Sequence, residues 1–130
     1  MNDPAVIESN ASVGKPDISI ITPSFNMLEY LKRCCASVAD QAGPPHEHII
    51  VDGCSTDGTV DWLGTQQGIR QMVEPDNGMY DAVNKGLKLA QGDILSYLNC
   101  DEQYFPCTLQ YVREFFGQHS EIDILFGDFL

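Results

Sequence analysis

Asn99-Cys100-Asp101-Glu102 places two adjacent carboxylates and an amide directly after an apolar run, Ile94 to Leu98. Hard carboxylate oxygens at such a point can hold Mg²⁺ or Mn²⁺, with phosphate oxygens and water completing the shell. An ion held this way would screen a diphosphate and stabilise it as a leaving group. The same four residues could equally form a solvated loop. In an extended chain Asn99 and Asp101 share one side, because side chains alternate, while Glu102 needs a turn to join them.

Two further polar stretches follow apolar runs. Thr22-Pro23-Ser24-Phe25-Asn26 comes after Ile18–Ile21, and Asp52 to Gly58 comes after Ile49–Val51. In the second, Gly53 and Gly58 can take dihedrals that other residues avoid, and Ser55 and Asp57 can hold the turn by local hydrogen bonds. Its glycines lack the offsets of a dinucleotide fingerprint. A fourth stretch, Glu74 to Gly86, offers Asp76, Asn77, Asn84 and Lys85 near a helix start. Lys85 or Arg70 could approach an anionic ligand, although an isolated lysine more often faces solvent.

The elements that must position these groups follow from periodicity. Strands are expected at 18–21, 46–53 with Ile49–Val51 as its apolar part, 69–73, 93–99 and 122–130, with residues 1–16 as a flexible leader. The first helix should begin after Asn26, with Glu29 completing a capping box. A second runs from Thr59 to about Gln67. The third should bury Tyr80, Val83, Leu87 and Ala90, with Gly92 as its C-cap. The fourth should turn Leu109, Val112 and Phe116 inward. Strands that alternate with helices indicate an α/β fold, an αβα sandwich on a mainly parallel sheet. Such sheets bind ligands beyond the carboxyl ends of their strands, where the strand order switches. The three polar stretches after strands fall on that side.

The chain has 130 residues and a formal charge of -12, from 19 acidic and 7 basic residues. A nucleic-acid partner would call for a basic surface, and none is present. An anionic ligand would need something to offset this field. Five cysteines without a CxxC pair argue against a disulfide scaffold or a structural zinc site and for a reducing, cytoplasmic setting. The N-terminus is polar and acidic, unlike a signal peptide. No run of residues is long enough to span a membrane. A peripheral membrane association of a full-length enzyme stays open.

Taken together and in order, "TPSFN", "VDGCSTDGT", "EPDNGMYDAVNKGLKLAQGDILSYLN" and the acidic pair resemble the nucleotide-sugar-binding part of a family 2 inverting glycosyltransferase with the GT-A fold. "LFGD" at 125–128 resembles a later segment of the same subgroup. The resemblance covers residues 17–130 and implies a nucleoside-diphosphate sugar donor, a glycan, lipid-linked or other hydroxyl acceptor, and Mn²⁺ or Mg²⁺. By position it implies that Thr22 and Pro23 line the base pocket with Asp52. Asn84 and Lys85 then lie near the nucleotide-sugar. Asn99-Cys100-Asp101 occupies the DxD-type position, with Asp101 as the chief metal ligand and Glu102 as a second. Gly53 stands where many members carry a second aspartate. The general base is expected beyond Leu130, since the chain reads as the front part of a longer enzyme. Self-association is expected of such a part. A non-catalytic nucleotide-binding or structural module with the same fold is the alternative.

Overall fold

The computed structural model describes residues 6–7 and 14–128. The elements run β1 (Val6–Ile7), β2 (Ile18–Ser24), α1 (Leu28–Ala39), β3 (His46–Asp52), α2 (Thr59–Gly64), β4 (Ile69–Val73), α3 (Met79–Leu89), β5 (Ile94–Tyr97) and α4 (Thr108–Gln118). They form one five-stranded sheet in the order β1-β4-β3-β2-β5. β2, β3, β4 and β5 are parallel, and β1 pairs antiparallel with β4. Residues 6–7, expected within a loose leader, thus form an edge strand. The chain winds outward from β2 through β3 to β4, then returns to lay β5 on the other side of β2. The order therefore switches between β2 and β5.

β2 is buried along its whole length and β3 over its last five residues, which is why both read as continuous apolar runs. On one face Ile18 and Ile20 pack with Cys34 and Val38 of α1 and Leu109 of α4. Ile50 joins Leu31, Leu63 and Cys100 on the same side. On the other face Ile49 and Val51 meet Met72 and Ala82. Each of these large aliphatic side chains contributes about 1.5–3 kcal/mol by leaving water.

Three expectations need correction. α3 buries Ala82 and Gly86, while Tyr80 is 77% and Leu87 38% exposed. Small residues let this helix sit close to the sheet: a Cβ on Gly86 would collide with Ile21 Cγ2. Of the expected stripe, Tyr80 and Leu87 face away, whereas Val83 is half-buried and Ala90 packs against the Ile49 and Val51 cluster. Gly92 is not a cap, since α3 ends at Ala90. A Cβ there would stand 2.8 Å from the Ser19 nitrogen, so the position needs glycine for close approach to β2. Residues 122–128 form no strand, with Ile124 68% and Phe126 88% exposed. β propensity yields a ladder only beside a partner, and none flanks this segment among the described residues. Residues 129–130 of the expected strand lie outside the described residues. No helix among the described residues is long and apolar enough to cross a membrane.

His48 is buried in β3, and its Nε2 lies 2.8 Å from Thr22 Oγ1. Burial, with a smaller contribution from His46, pushes the His48 pKa down to about 3 from an ordinary 6.5. The unfolded chain therefore holds the extra proton between these two values, and stability falls as pH drops through that window. Acidification from about pH 7 to 5 is expected to remove about 2 kcal/mol of unfolding free energy. Urea titrations across that range check this. A His48→Gln variant should flatten the slope above about pH 5, where carboxylates have largely finished titrating. A wild type with no slope there would contradict the assignment.

Candidate active site

A cleft of about 440 Å³ opens at the switch between β2 and β5. The end of β2 contributes Pro23, Ser24, Phe25 and Met27 to its wall. The segment after β4 contributes Asp76, and the start of α3 adds Gly78, Met79 and Ala82. The exit of β5 closes it with Asn99, Cys100 and Asp101. All three approaches are carboxyl ends of parallel strands, where such sheets place ligands.

The turn after β3 supports this wall without lining it. Asp52 is fully buried. Its Oδ2 accepts from the Ser55 N–H at 2.8 Å and its Oδ1 from the Ser55 hydroxyl at 2.7 Å. The Ser55 Oγ in turn accepts from the Asn26 N–H at 2.8 Å, and Asn26 Oδ1 accepts from the Thr56 N–H at 2.7 Å. Asp57 Oδ2 accepts from the Leu28 N–H at 2.9 Å, satisfying an open donor at the start of α1. Hydrogen bonds from Thr59 and Leu28 hold the Asp57 carboxyl below its usual value. The expected capping box is therefore replaced: Asn26 lies at φ 51, and Glu29 pairs with Lys32. Gly53 lies close under the cleft wall: a Cβ there would meet Asp76 Oδ2 at 2.9 Å and Phe25 Cδ2 at 3.3 Å, so those side chains would have to shift.

At the β5 exit the acidic pair divides. Glu102 folds back and accepts from the Asn99 N–H at 3.0 Å and the Asn99 side-chain amide at 3.2 Å. The Tyr97 hydroxyl donates to Asn99 Oδ1. Glu102 thus fastens the turn and does not line the cleft. Asp101 is exposed and lines the cleft. Cys100 packs inward against Met27, as expected of a small reduced side chain.

Of the expected site residues, the cleft brings together Pro23, Asn99 and Asp101. Thr22 is fully buried and bonded to His48, so its side chain does not line a base pocket. Asp52 is engaged by Ser55, as described. Asn84 is exposed and lies outside the cleft wall. Lys85 Nζ sits 2.8 Å from Glu74, 3.4 Å from Asp81 and 2.9 Å from the Pro75 carbonyl, which its charge-assisted bonds hold in place. These bonds anchor the β4–α3 connection, and Lys85 is outside the cleft wall. Phe25 is an addition, and Asp76, one of the groups offered by the fourth polar stretch, joins the wall although the sequence assigns it no role. Its Oδ1 accepts from the Gly78 N–H at 2.9 Å.

The cleft wall therefore carries two carboxylates and no basic side chain. A diphosphate entering it would need a cation. Among the described residues no three His, Cys, Asp or Glu side chains converge as a self-sufficient metal site. Asp101, with Asn99 beside it, fits the other arrangement, in which one or two carboxylates hold an ion whose remaining positions are filled by phosphate and water.

Comparison with known proteins agrees with this architecture. The family model described as glycosyl transferase family 2 matches residues 19–127. A PGL/p-HBAD biosynthesis glycosyltransferase of Mycobacterium bovis is 37% identical over 119 residues, covering 87% of this chain and 46% of that protein. A Bacillus subtilis glycosyltransferase, TuaG, named for teichuronic acid biosynthesis, is 39% identical over 82% of this chain and 44% of its own length. The chain thus spans about half the length of the curated relatives it matches. The crystal structure of S. aureus TarS 1–349 with UDP-GlcNAc superposes with a TM-score of 0.74 at 25% identity, over 80% of this chain and 32% of that one. The mannosyltransferase PcManGT of Pyrobaculum calidifontis, solved with GDP-Man and Mn²⁺, shares the fold. Its TM-score is 0.62 at 23% identity, over 79% of this chain and 32% of that one. With nearly all of its sheet and its cleft inside the matched region, the chain belongs to glycosyl transferase family 2 and has the GT-A fold.

Proposed function

We propose that this chain holds the donor-binding part of an inverting glycosyltransferase that takes its sugar from a nucleoside-diphosphate sugar. The observation that carries the reading is the cleft at the β2–β5 switch, whose wall carries Asp101, Asn99 and Asp76 and no basic side chain. UDP-GlcNAc bound to TarS supports the ligand class.

In this reading Pro23 and Phe25 flank the nucleoside, and Asp101 holds Mn²⁺ or Mg²⁺ against the diphosphate with Asn99 beside it. The ion would stabilise charge on the departing nucleoside diphosphate. Asp76 and Gly78 shape the opposite wall, and Glu102 keeps Asn99 oriented. Inversion needs a general base across from the leaving group. The greater length of the relatives leaves room for it beyond Leu130, together with the site for a glycan, lipid-linked or other hydroxyl acceptor.

A cytoplasmic setting belongs to the same proposal, supported by free cysteines throughout the described structure. So does self-association, since Leu95 and Tyr97 are exposed on β5, an end strand of the sheet. The net charge of -12 supports the exclusion of nucleic acid.

Calorimetric titration with UDP, GDP and TDP, each with and without Mn²⁺, tests the reading. Binding of at least one nucleotide, strengthened by Mn²⁺, is expected. Equal affinity with and without the ion would remove the metal from the proposal, and no binding of any nucleotide would remove the donor site.

A further inference from the structure

The Ser24 side chain has no role in the fold that its surroundings explain. Ser24 ends β2, is 4% exposed and lines the cleft. Its hydroxyl is buried without a hydrogen-bond partner among the described residues. A buried polar group left in that state is costly.

Its neighbours make the omission specific. Thr22, two residues earlier and so on the same side of the strand, finds His48 Nε2 at 2.8 Å. Ser19, at the other end of β2, donates to Glu47 Oε1 at 2.6 Å and accepts from the Gly92 N–H at 2.8 Å. The residue paired with Ser24 across the β2–β3 ladder is Asp52, which would be an apt acceptor. Both oxygens of Asp52 are instead turned to Ser55. The Ser24 carbonyl is engaged, accepting from the Gly53 N–H at 3.0 Å, so only the side chain is left over. A group that could have been paired by its register neighbour thus remains unpaired, in a residue of the cleft wall between Pro23 and Phe25.

The geometry points to Ser24 Oγ as a direct hydrogen-bonding contact of the bound nucleotide. The inference rests on the donor-site reading above and adds to it a residue that specifies the ligand. A hydroxyl suits this place. It is neutral, so it adds nothing to the negative field of Asp76 and Asp101. It can also donate to a phosphate, carbonyl or ribose oxygen and accept from an N–H or O–H.

The test is a Ser24→Ala variant, read by thermal unfolding and by calorimetric titration with UDP and GDP in Mn²⁺, alongside uridine and guanosine. The two readouts should move in opposite senses. Without ligand, the variant should melt at the same temperature as the wild type or higher, because it removes an unpaired buried hydroxyl. Its affinity for the nucleotide that the wild type binds should fall about five- to tenfold, the worth of one hydrogen bond. A loss that persists with the free nucleoside places the contact on base or ribose, and a loss confined to the diphosphate places it on phosphate. Unchanged affinity, with wild-type binding intact, overturns the inference and leaves the donor site standing. A lower melting temperature also overturns it, by showing that the hydroxyl serves the fold. Failure of the wild type to bind any nucleotide overturns the donor-site reading itself, and this contact with it.

Discussion

Replacing Asp52 by alanine is expected to lower the unfolding free energy by about 3 kcal/mol and to weaken every nucleotide to a similar degree. The carboxylate is fully buried and accepts two short hydrogen bonds from Ser55. Bonds to a charged group are each worth about 1.5–3 kcal/mol, and removing a buried partner leaves its donors unsatisfied. Ser55 in turn receives the Asn26 N–H, and the same turn holds Leu28 through Asp57. Loss of Asp52 would therefore loosen the Phe25–Met27 wall of the cleft from behind. A residue that reads the base directly would behave otherwise: its removal would change the ratio of UDP to GDP affinity with little loss of stability. Urea denaturation and parallel titrations with both nucleotides separate the two. A changed base preference at unchanged stability would return Asp52 to the base pocket.

This case also shows where sequence reading stops. The places of β2 and β3 were legible because a strand covered on both faces leaves an unbroken apolar run. β5 showed as a shorter apolar segment, although Leu95 and Tyr97 on it are exposed. The ligand side followed, since polar stretches at the ends of parallel strands converge. The directions of individual side chains did not follow. Thr22, Asp52 and Glu102 stand at the expected positions, yet His48, Ser55 and Asn99 engage them, and such pairings join residues through the fold or through a turn. α3 was misread for a related reason. Its pattern favoured the bulky stripe of Tyr80, Val83 and Leu87, whereas close packing selected Ala82 and Gly86. Asp76 was in view as part of the fourth polar stretch, but beside a proline, an asparagine and a glycine it read as a turn former and received no role. Residues 122–128 carry strand-forming side chains, but a strand also needs an edge to pair with.

What remains of the acidic pair after this sorting is a single carboxylate. The Glu102 carboxylate is held by the backbone N–H and the side-chain NH₂ of Asn99, and Asp101 is left at the cleft. The account therefore concentrates the ion on Asp101. It makes the ion and the nucleotide mutually dependent, because neither the protein nor the diphosphate completes the coordination shell alone. Mn²⁺ without nucleotide should bind weakly, and nucleotide without Mn²⁺ should meet the uncompensated field of Asp76 and Asp101.

Calorimetric titration of wild type and Asp101→Asn with the preferred nucleoside diphosphate, with and without Mn²⁺, tests this most directly. Asp101 is exposed, so the variant is expected to fold with unchanged stability. The account predicts that Mn²⁺ strengthens binding to the wild type by about tenfold or more, and that the variant loses this enhancement while its metal-free affinity holds or rises, since one repelling carboxylate is gone. An equal Mn²⁺ enhancement in both proteins would contradict it.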